Sequence, residues 1–145
     1  MKRVVFVCIE NSNRSQMAEA FARMHGAGRV EAYSAGSLPS GRINPRAIES
    51  MSERGYDLSR HRSKGLSEVP DAPYDVVISM GCGDACPSVQ AARREDWDIA
   101  DPKDLPPERF RAVRDRIEEK VNALLTGLYA SDARQPRKAA TDCTD

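Results

Sequence analysis

The groups in this chain that can do chemistry are its thiols, an arginine set close to one of them, and a carboxylate ahead of a proline. Cys8, Ile9, Glu10, Asn11, Ser12, Asn13, Arg14 and Ser15 make a Cys-x5-Arg segment between an apolar run and an amphipathic stretch. The placement matters more than the spacing. A loop that joins a strand to a helix turns successive backbone N–H groups, and the positive end of the helix, into one concavity suited to a tetrahedral oxyanion. Arg14 can then grip two of its oxygens as a bidentate fork. The same field favours a thiolate, which makes Cys8 the candidate nucleophile. Ser15 is placed to hydrogen-bond the sulfur, and Asn11 tolerates the left-handed backbone of a tight loop. Taken alone, the spacing fits a buried Cys and a solvated Arg equally well, and it is the strand-loop-helix context that weighs against this. A nucleotide P-loop is excluded, because no Gly-Lys-Ser/Thr stands before a helix.

Two further thiols, Cys82 and Cys86, follow an apolar run in Met-Gly-Cys-Gly-Asp-Ala-Cys-Pro (80–87). They fall on the edge where Cys8 is expected, and a pair of thiols is a source of two electrons. Other readings stay open. Cys82 could be a packing residue and Cys86 a small cap near a helix start. A zinc set with His61 falls short unless Cys143 joins it, and Cys-x3-Cys alone is weak support. Asp101, before Pro102, could protonate a leaving oxygen, although Asp-Pro also starts ordinary turns. His25 reads as a helix-end residue, His61 as a loop hydrogen-bonding group and Trp97 as core.

The elements that must hold these groups alternate along the chain. Lys2 to Cys8 reads as a strand covered on both faces, since Val4, Val5, Phe6 and Val7 are consecutive. From Ser15, Met17, Ala20, Phe21 and Met24 recur at helical spacing and Gly26 and Gly28 supply a stop. Arg29 to Ser34 is a second strand; Asn44 and Pro45 open a helix ended by Gly55. Tyr74 to Met80 is a third buried strand, Ser88 to Arg93 a short helical stretch, and Trp97 to Ile99 a fourth strand. After Pro106 and Pro107, the residues Phe110, Val113, Ile117, Val121, Leu124, Leu125 and Leu128 form one stripe of a long helix. The expectation is an α/β fold: a single-domain, doubly wound, four-stranded parallel sheet with helices on both faces, its ligand at the carboxyl ends of the strands. Residues 1–129 make that domain; residues 130–145 lack apolar periodicity and read as a disordered tail.

With 145 residues there is room for one core. Twenty-two Lys and Arg balance 22 Asp and Glu, which removes the general attraction to polyanions and argues against nucleic acid or a membrane surface as partner. No apolar run is long enough to span a bilayer and the start lacks a signal-peptide pattern, so a cytoplasmic location with free thiols is expected.

Val7 to Ala20 (VCIENSNRSQMAEA), Tyr-Ser-Ala-Gly (33–36), Asn-Pro-Arg-Ala-Ile (44–48) and Asp101-Pro102 resemble the arsenate reductases built on the low-molecular-weight protein tyrosine phosphatase fold, in their thioredoxin-coupled branch. The match runs from about residue 3 to 128, and the Asn-Ser-x-Arg-Ser-Gln-Met-Ala-Glu block is specific to that superfamily without separating reductase from phosphatase. The resemblance implies that Cys8 attacks arsenate with loss of water and that Cys82 attacks the adduct, releasing arsenite as a Cys8–Cys82 disulfide forms. Cys86 then attacks Cys82, and Gly81 and Gly83 let the segment present the new disulfide to thioredoxin. Asp101 takes the general-acid role, residues 9–15 bind the oxyanion, and phosphate and sulfate compete. A phosphatase acting on phosphotyrosine or small phosphoesters is the alternative. No cofactor is implied. Some members hold potassium through groups matching Asn11, Glu19 and Ser34 and an Asp where this chain has Lys64. That substitution predicts an ammonium near Asn11 and Glu19 and no potassium requirement. Glu10, inside the anion loop, must point outward or be paired.

Overall fold

The structure is a computed structural model describing residues 1–71, 73–81 and 89–134. Its sheet is built outward from the first strand. In β1 (Lys2–Cys8), Val4, Val5, Phe6 and Val7 are all fully buried, so each face of the strand meets a core. β2 (Val30–Gly36) and β3 (Tyr74–Ser79) pair with it in parallel on either side, and β4 (Ala91–Asp96) pairs in parallel with β3. The order β2-β1-β3-β4 reverses direction beside β1, and the crevice at such a reversal lies beyond the carboxyl ends of the strands. Cys8 is the last residue of β1.

Val4, Phe6 and Cys8 belong to the larger core with α1 (Arg14–His25), α2 (Pro45–Ser52) and α3 (Pro107–Arg134). Val5 and Val7 enter a smaller cluster with Tyr74, Val77 and Val89, against which Tyr33, Leu66 and Ala91 pack. α2 begins as its sequence dictates, with the Asn44 side chain accepting from the Arg46 N–H at 2.8 Å and Pro45 at the first position. Two single turns of 3-10 helix, Leu58–Arg60 and Leu66–Glu68, link α2 to β3.

Three expectations are corrected. The fourth strand is Ala91–Asp96, not Trp97 to Ile99, and it takes the place of the helical stretch expected over Ser88 to Arg93. As an edge strand of sequence AARRED it is largely exposed and carries charges in place of an apolar alternation, a common way to blunt an edge. Trp97 and Ile99 are buried instead by packing, Trp97 tilted against Phe6 at 5.9 Å between ring centroids. The second strand runs on to Gly36, so that Cys8 sits opposite Gly36 in register. The tail expected from Ala130 does not start there, because α3 continues through Arg134; residues beyond it lie outside those described. Its stripe is otherwise as read, with Phe110, Ile117, Val121, Leu124, Leu125 and Leu128 buried.

Ile117 is fully buried in the larger core. Ile117→Ala should therefore cost about 2–5 kcal/mol through lost contacts and a residual cavity, read as a lower urea midpoint at unchanged m-value.

Candidate active site

The loop between β1 and α1 wraps around the Cys8 sulfur. Asn11 adopts φ 53°, a left-handed conformation uncommon outside glycine, and its backbone N–H faces Sγ at 3.2 Å. Ser15 Oγ lies 2.9 Å from the same sulfur. Asn11 Nδ2 donates to Ser15 Oγ at 2.8 Å, which leaves the serine proton free to point at Sγ. Two donors thus converge on the sulfur as they would on an anion. Gly36, opposite Cys8, gives the loop its room: a Cβ there would lie 2.4 Å from the Ile9 carbonyl oxygen.

A cavity of about 80 Å³ opens in front of the sulfur, lined by Cys8, Ile9, Glu10, Ser12, Asn13, Arg14 and Asp101. One water needs about 10–15 Å³, so there is room for a small tetrahedral oxyanion. Among the described residues no side chain caps the N-terminus of α1, whose first N–H groups lack intrahelical acceptors. Arg14 Nη1 donates to the carbonyls of Met80 at 2.6 Å and Ile99 at 2.7 Å, which fixes the guanidinium plane. The fork left for an oxyanion is then Nε and Nη2. Asp101 Oδ1 accepts from Asn13 Nδ2 at 3.4 Å and from the Lys103 N–H at 3.1 Å, and so stands at the cavity wall five residues after β4. Glu10 is half exposed and pairs with Lys103 at 3.8 Å, one of the two arrangements its charge requires.

Of the residues expected around the anion, Asn11 and Ser15 sit behind the sulfur, both fully buried, and do not line the cavity. Cys82 and Cys86 lie outside the described residues. Lys64 does reach the expected neighbourhood by a different route. Its ammonium is 3.6 Å from Glu19 Oε1 and 3.3 Å from both Ser34 Oγ and the Arg62 carbonyl, whereas Asn11 Oδ1 accepts from the Lys64 backbone N–H at 2.9 Å. Burial pushes the Lys64 ammonium below its usual range, and Glu19 partly restores it. Glu19, 3% exposed, also accepts from Ser34 Oγ at 2.5 Å and Arg23 Nε at 2.8 Å.

Sequence reasoning missed Gln16 and Tyr56. Gln16 Nε2 donates to Asn11 Oδ1 at 2.7 Å and to the Arg62 carbonyl at 2.8 Å, while its Oε1 lies 2.9 Å from His61 Nδ1. An amide oxygen only accepts, so Nδ1 carries the proton and Nε2 accepts from Tyr56 Oη at 2.6 Å. The one available signal was a glutamine in the first turn of a helix whose neighbours are all buried. His25 pairs with Glu118 at 2.8 Å and is remote from the cavity, as its reading implied.

With this geometry established, comparison with known proteins places the chain. It belongs to the low molecular weight phosphotyrosine protein phosphatase family, whose model matches residues 3–134. It is 44% identical to the glutaredoxin arsenate reductase of Synechocystis over 88% of this chain and 99% of that one. It is 39% identical to the arsenate reductase of Staphylococcus aureus strain Newman over 81% of this chain and 91% of that one. Among solved structures it matches an arsenate reductase in the phosphate binding state with TM-score 0.79 and 42% identity, over 88% of this chain and 98% of the other. A thioredoxin-dependent arsenate reductase of Corynebacterium glutamicum matches with TM-score 0.74 and 31% identity, over 90% of this chain and 63% of that longer one.

Burial holds His61 below its usual value, with Glu19 opposing. The unfolded chain therefore takes up a proton that the folded chain refuses as pH falls through about 6.5, and stability declines on that side. The thermal midpoint should drop more steeply between pH 7 and pH 5 in the wild type than in His61→Gln. Equal slopes would remove His61 from the acid sensitivity.

Proposed function

We propose that this chain is an arsenate reductase that converts arsenate to arsenite through Cys8, Cys82 and Cys86. The observation that carries the reading is the cavity itself: a buried thiol with two donors on its sulfur, a fixed guanidinium and a carboxylate, in a space sized for one tetrahedral oxyanion. Cys8 attacks arsenic; a sulfur–arsenic bond forms, an arsenic–oxygen bond breaks, and the leaving oxygen takes a proton from Asp101 and departs as water. A Cys82 thiolate then attacks the Cys8 sulfur. The sulfur–arsenic electron pair stays on arsenic, which falls from the pentavalent to the trivalent state and leaves as arsenite, and a Cys8–Cys82 disulfide remains. Cys86 attacks Cys82, freeing Cys8 as a thiol and leaving Cys82–Cys86 oxidised for an external dithiol to reduce.

Chain connectivity supports the second step. The Met80 carbonyl bonds Arg14 beside the cavity, and two residues of chain span at most about 7 Å. We assign the reductant as thioredoxin, the partner in the name of the Corynebacterium relative and the one suited to a protein that makes its own internal disulfide. The Synechocystis relative's name favours glutaredoxin, so both systems belong in the assay. A cytoplasmic location is part of the same reading; among the described residues no helix is long and apolar enough to cross a membrane.

Cys8→Ser should abolish both arsenate turnover and hydrolysis of an aryl phosphate. Cys82→Ser and Cys86→Ser should each lose arsenate turnover by at least about a hundredfold in an NADPH-linked assay, while keeping most aryl phosphate hydrolysis. A wild type that reduces no arsenate with either thioredoxin or glutaredoxin would leave the phosphatase reading in its place.

The Lys64 ammonium stands where relatives are expected to hold potassium, and its contacts with Glu19 and Ser34 support a fixed charge doing the ion's work. Wild-type turnover should be indifferent to exchanging potassium for sodium. Lys64→Ala should lower kcat/KM several-fold, with partial recovery in potassium; recovery equal in both salts would mean simple screening.

A further inference from the structure

Asn13 occupies the N-terminal cap of α1, where an asparagine ordinarily turns its side-chain oxygen onto an N–H of the first helical turn. It makes no such bond here. The residue is 4% exposed, and its Oδ1 is a buried acceptor with no hydrogen-bond partner among the described residues. Its Nδ2 donates to Asp101 Oδ1, at a long 3.4 Å, and both residues line the cavity in front of Cys8. Among the described residues, the one hydrogen-bond partner of this amide is Asp101.

We infer that Asn13 is a positioning residue for Asp101, holding the carboxyl at the cavity wall in both of its protonation states. As an anion, Asp101 accepts from the amide nitrogen, the arrangement observed. As a neutral acid it needs an acceptor for its own O–H, and a half-turn of the carboxamide puts the unoccupied oxygen there. An asparagine spent on capping the helix could not follow the proton in this way. The inference rests on Asp101 acting as the acid in the first step above: a sulfur–arsenic bond forms, an arsenic–oxygen bond breaks, and the released water carries the Asp101 proton, with arsenic still pentavalent. Asn13 transfers no proton itself. The other titratable groups lining this cavity are Cys8, Glu10 and Arg14, and Lys103 stands beside it, its N–H bonding Asp101 and its ammonium pairing with Glu10. All of them are retained in the variants below.

The test is a double-mutant cycle on kcat with saturating arsenate, made with Asn13→Leu, Asp101→Asn and the pair. Asn13→Leu alone should lower kcat about tenfold, the loss expected when a hydrogen bond to a charged group is removed, with KM changed less than about twofold. In the Asp101→Asn background the same replacement should cost less than about twofold, because the group it positions no longer has a proton to give. Equal costs in both backgrounds would overturn the inference and leave Asn13 a merely structural residue. A second variant guards against misfolding. Asn13→Asp can still accept from a protonated Asp101 but repels the ionised one, so the fall of kcat on the alkaline side should move to higher pH. An unmoved limb in a variant that still binds phosphate would overturn it too. If Asp101→Asn alone leaves kcat intact, it is the acid role in the proposed function that fails.

Discussion

A single buried residue in an unusual backbone conformation holds this site together. Asn11 holds a positive φ while its N–H faces the Cys8 sulfur, and a non-glycine residue stays in that conformation only when its surroundings over-determine it. Its side chain is bonded by Gln16 and the Lys64 backbone on the oxygen and reaches Ser15 through the nitrogen, with Asn11, Ser15 and Gln16 all fully buried. These bonds do two jobs at once. They stabilise the strained turn and they aim Ser15 at the sulfur. Loop geometry and nucleophile polarisation therefore cannot be varied separately.

Behind Asn11 the contacts spread outward to distant parts of the chain. Gln16 carries the link to His61 and Tyr56, while Lys64 joins Glu19 and Ser34 and fixes the segment after the 3-10 turn against β2. Glu19 is a buried carboxylate, tolerable because Arg23, Ser34 and Lys64 all reach it. Tethered by its own backbone to Asn11, Lys64 couples its ammonium to the turn.

How much of this could be read from the sequence depended on whether the determining contacts were local. β1 and β3 announced themselves because central strands are buried on both faces and must be apolar throughout. β4 did not, because an edge strand answers to solvent on one side and its charges mimic a loop or helix surface. Cys8, Arg14 and the helix start facing them were legible from strand-loop-helix order. Asp101 was legible only by resemblance, since its place at the cavity comes from the path of the chain after β4. Gln16 was invisible because two of its three partners, Arg62 and His61, lie 46 and 45 residues away, and nothing near it in sequence marks them.

The dimensions of the cavity also divide the chemistry into two parts. A thiol that is 3% exposed behind a space of about 80 Å³ can be reached by a small oxyanion from the front, with the helix start and Arg14 already in place. That arrangement serves the bond-forming step, in which preorganised donors meet charge as it arrives. Electron transfer to arsenic asks for something else: a second sulfur must approach the first on the side opposite the bond that breaks. One rigid set of contacts cannot satisfy both demands. The first half is built from β1, α1 and the loop between them, where the two hydrogen-bond contacts to the sulfur among the described residues come from Asn11 and Ser15, and the thiols assigned to the later steps follow β3, outside that set. A phosphatase, which finishes with water, has no need of this division, and that is the physical distinction between the two activities that one family fold can host.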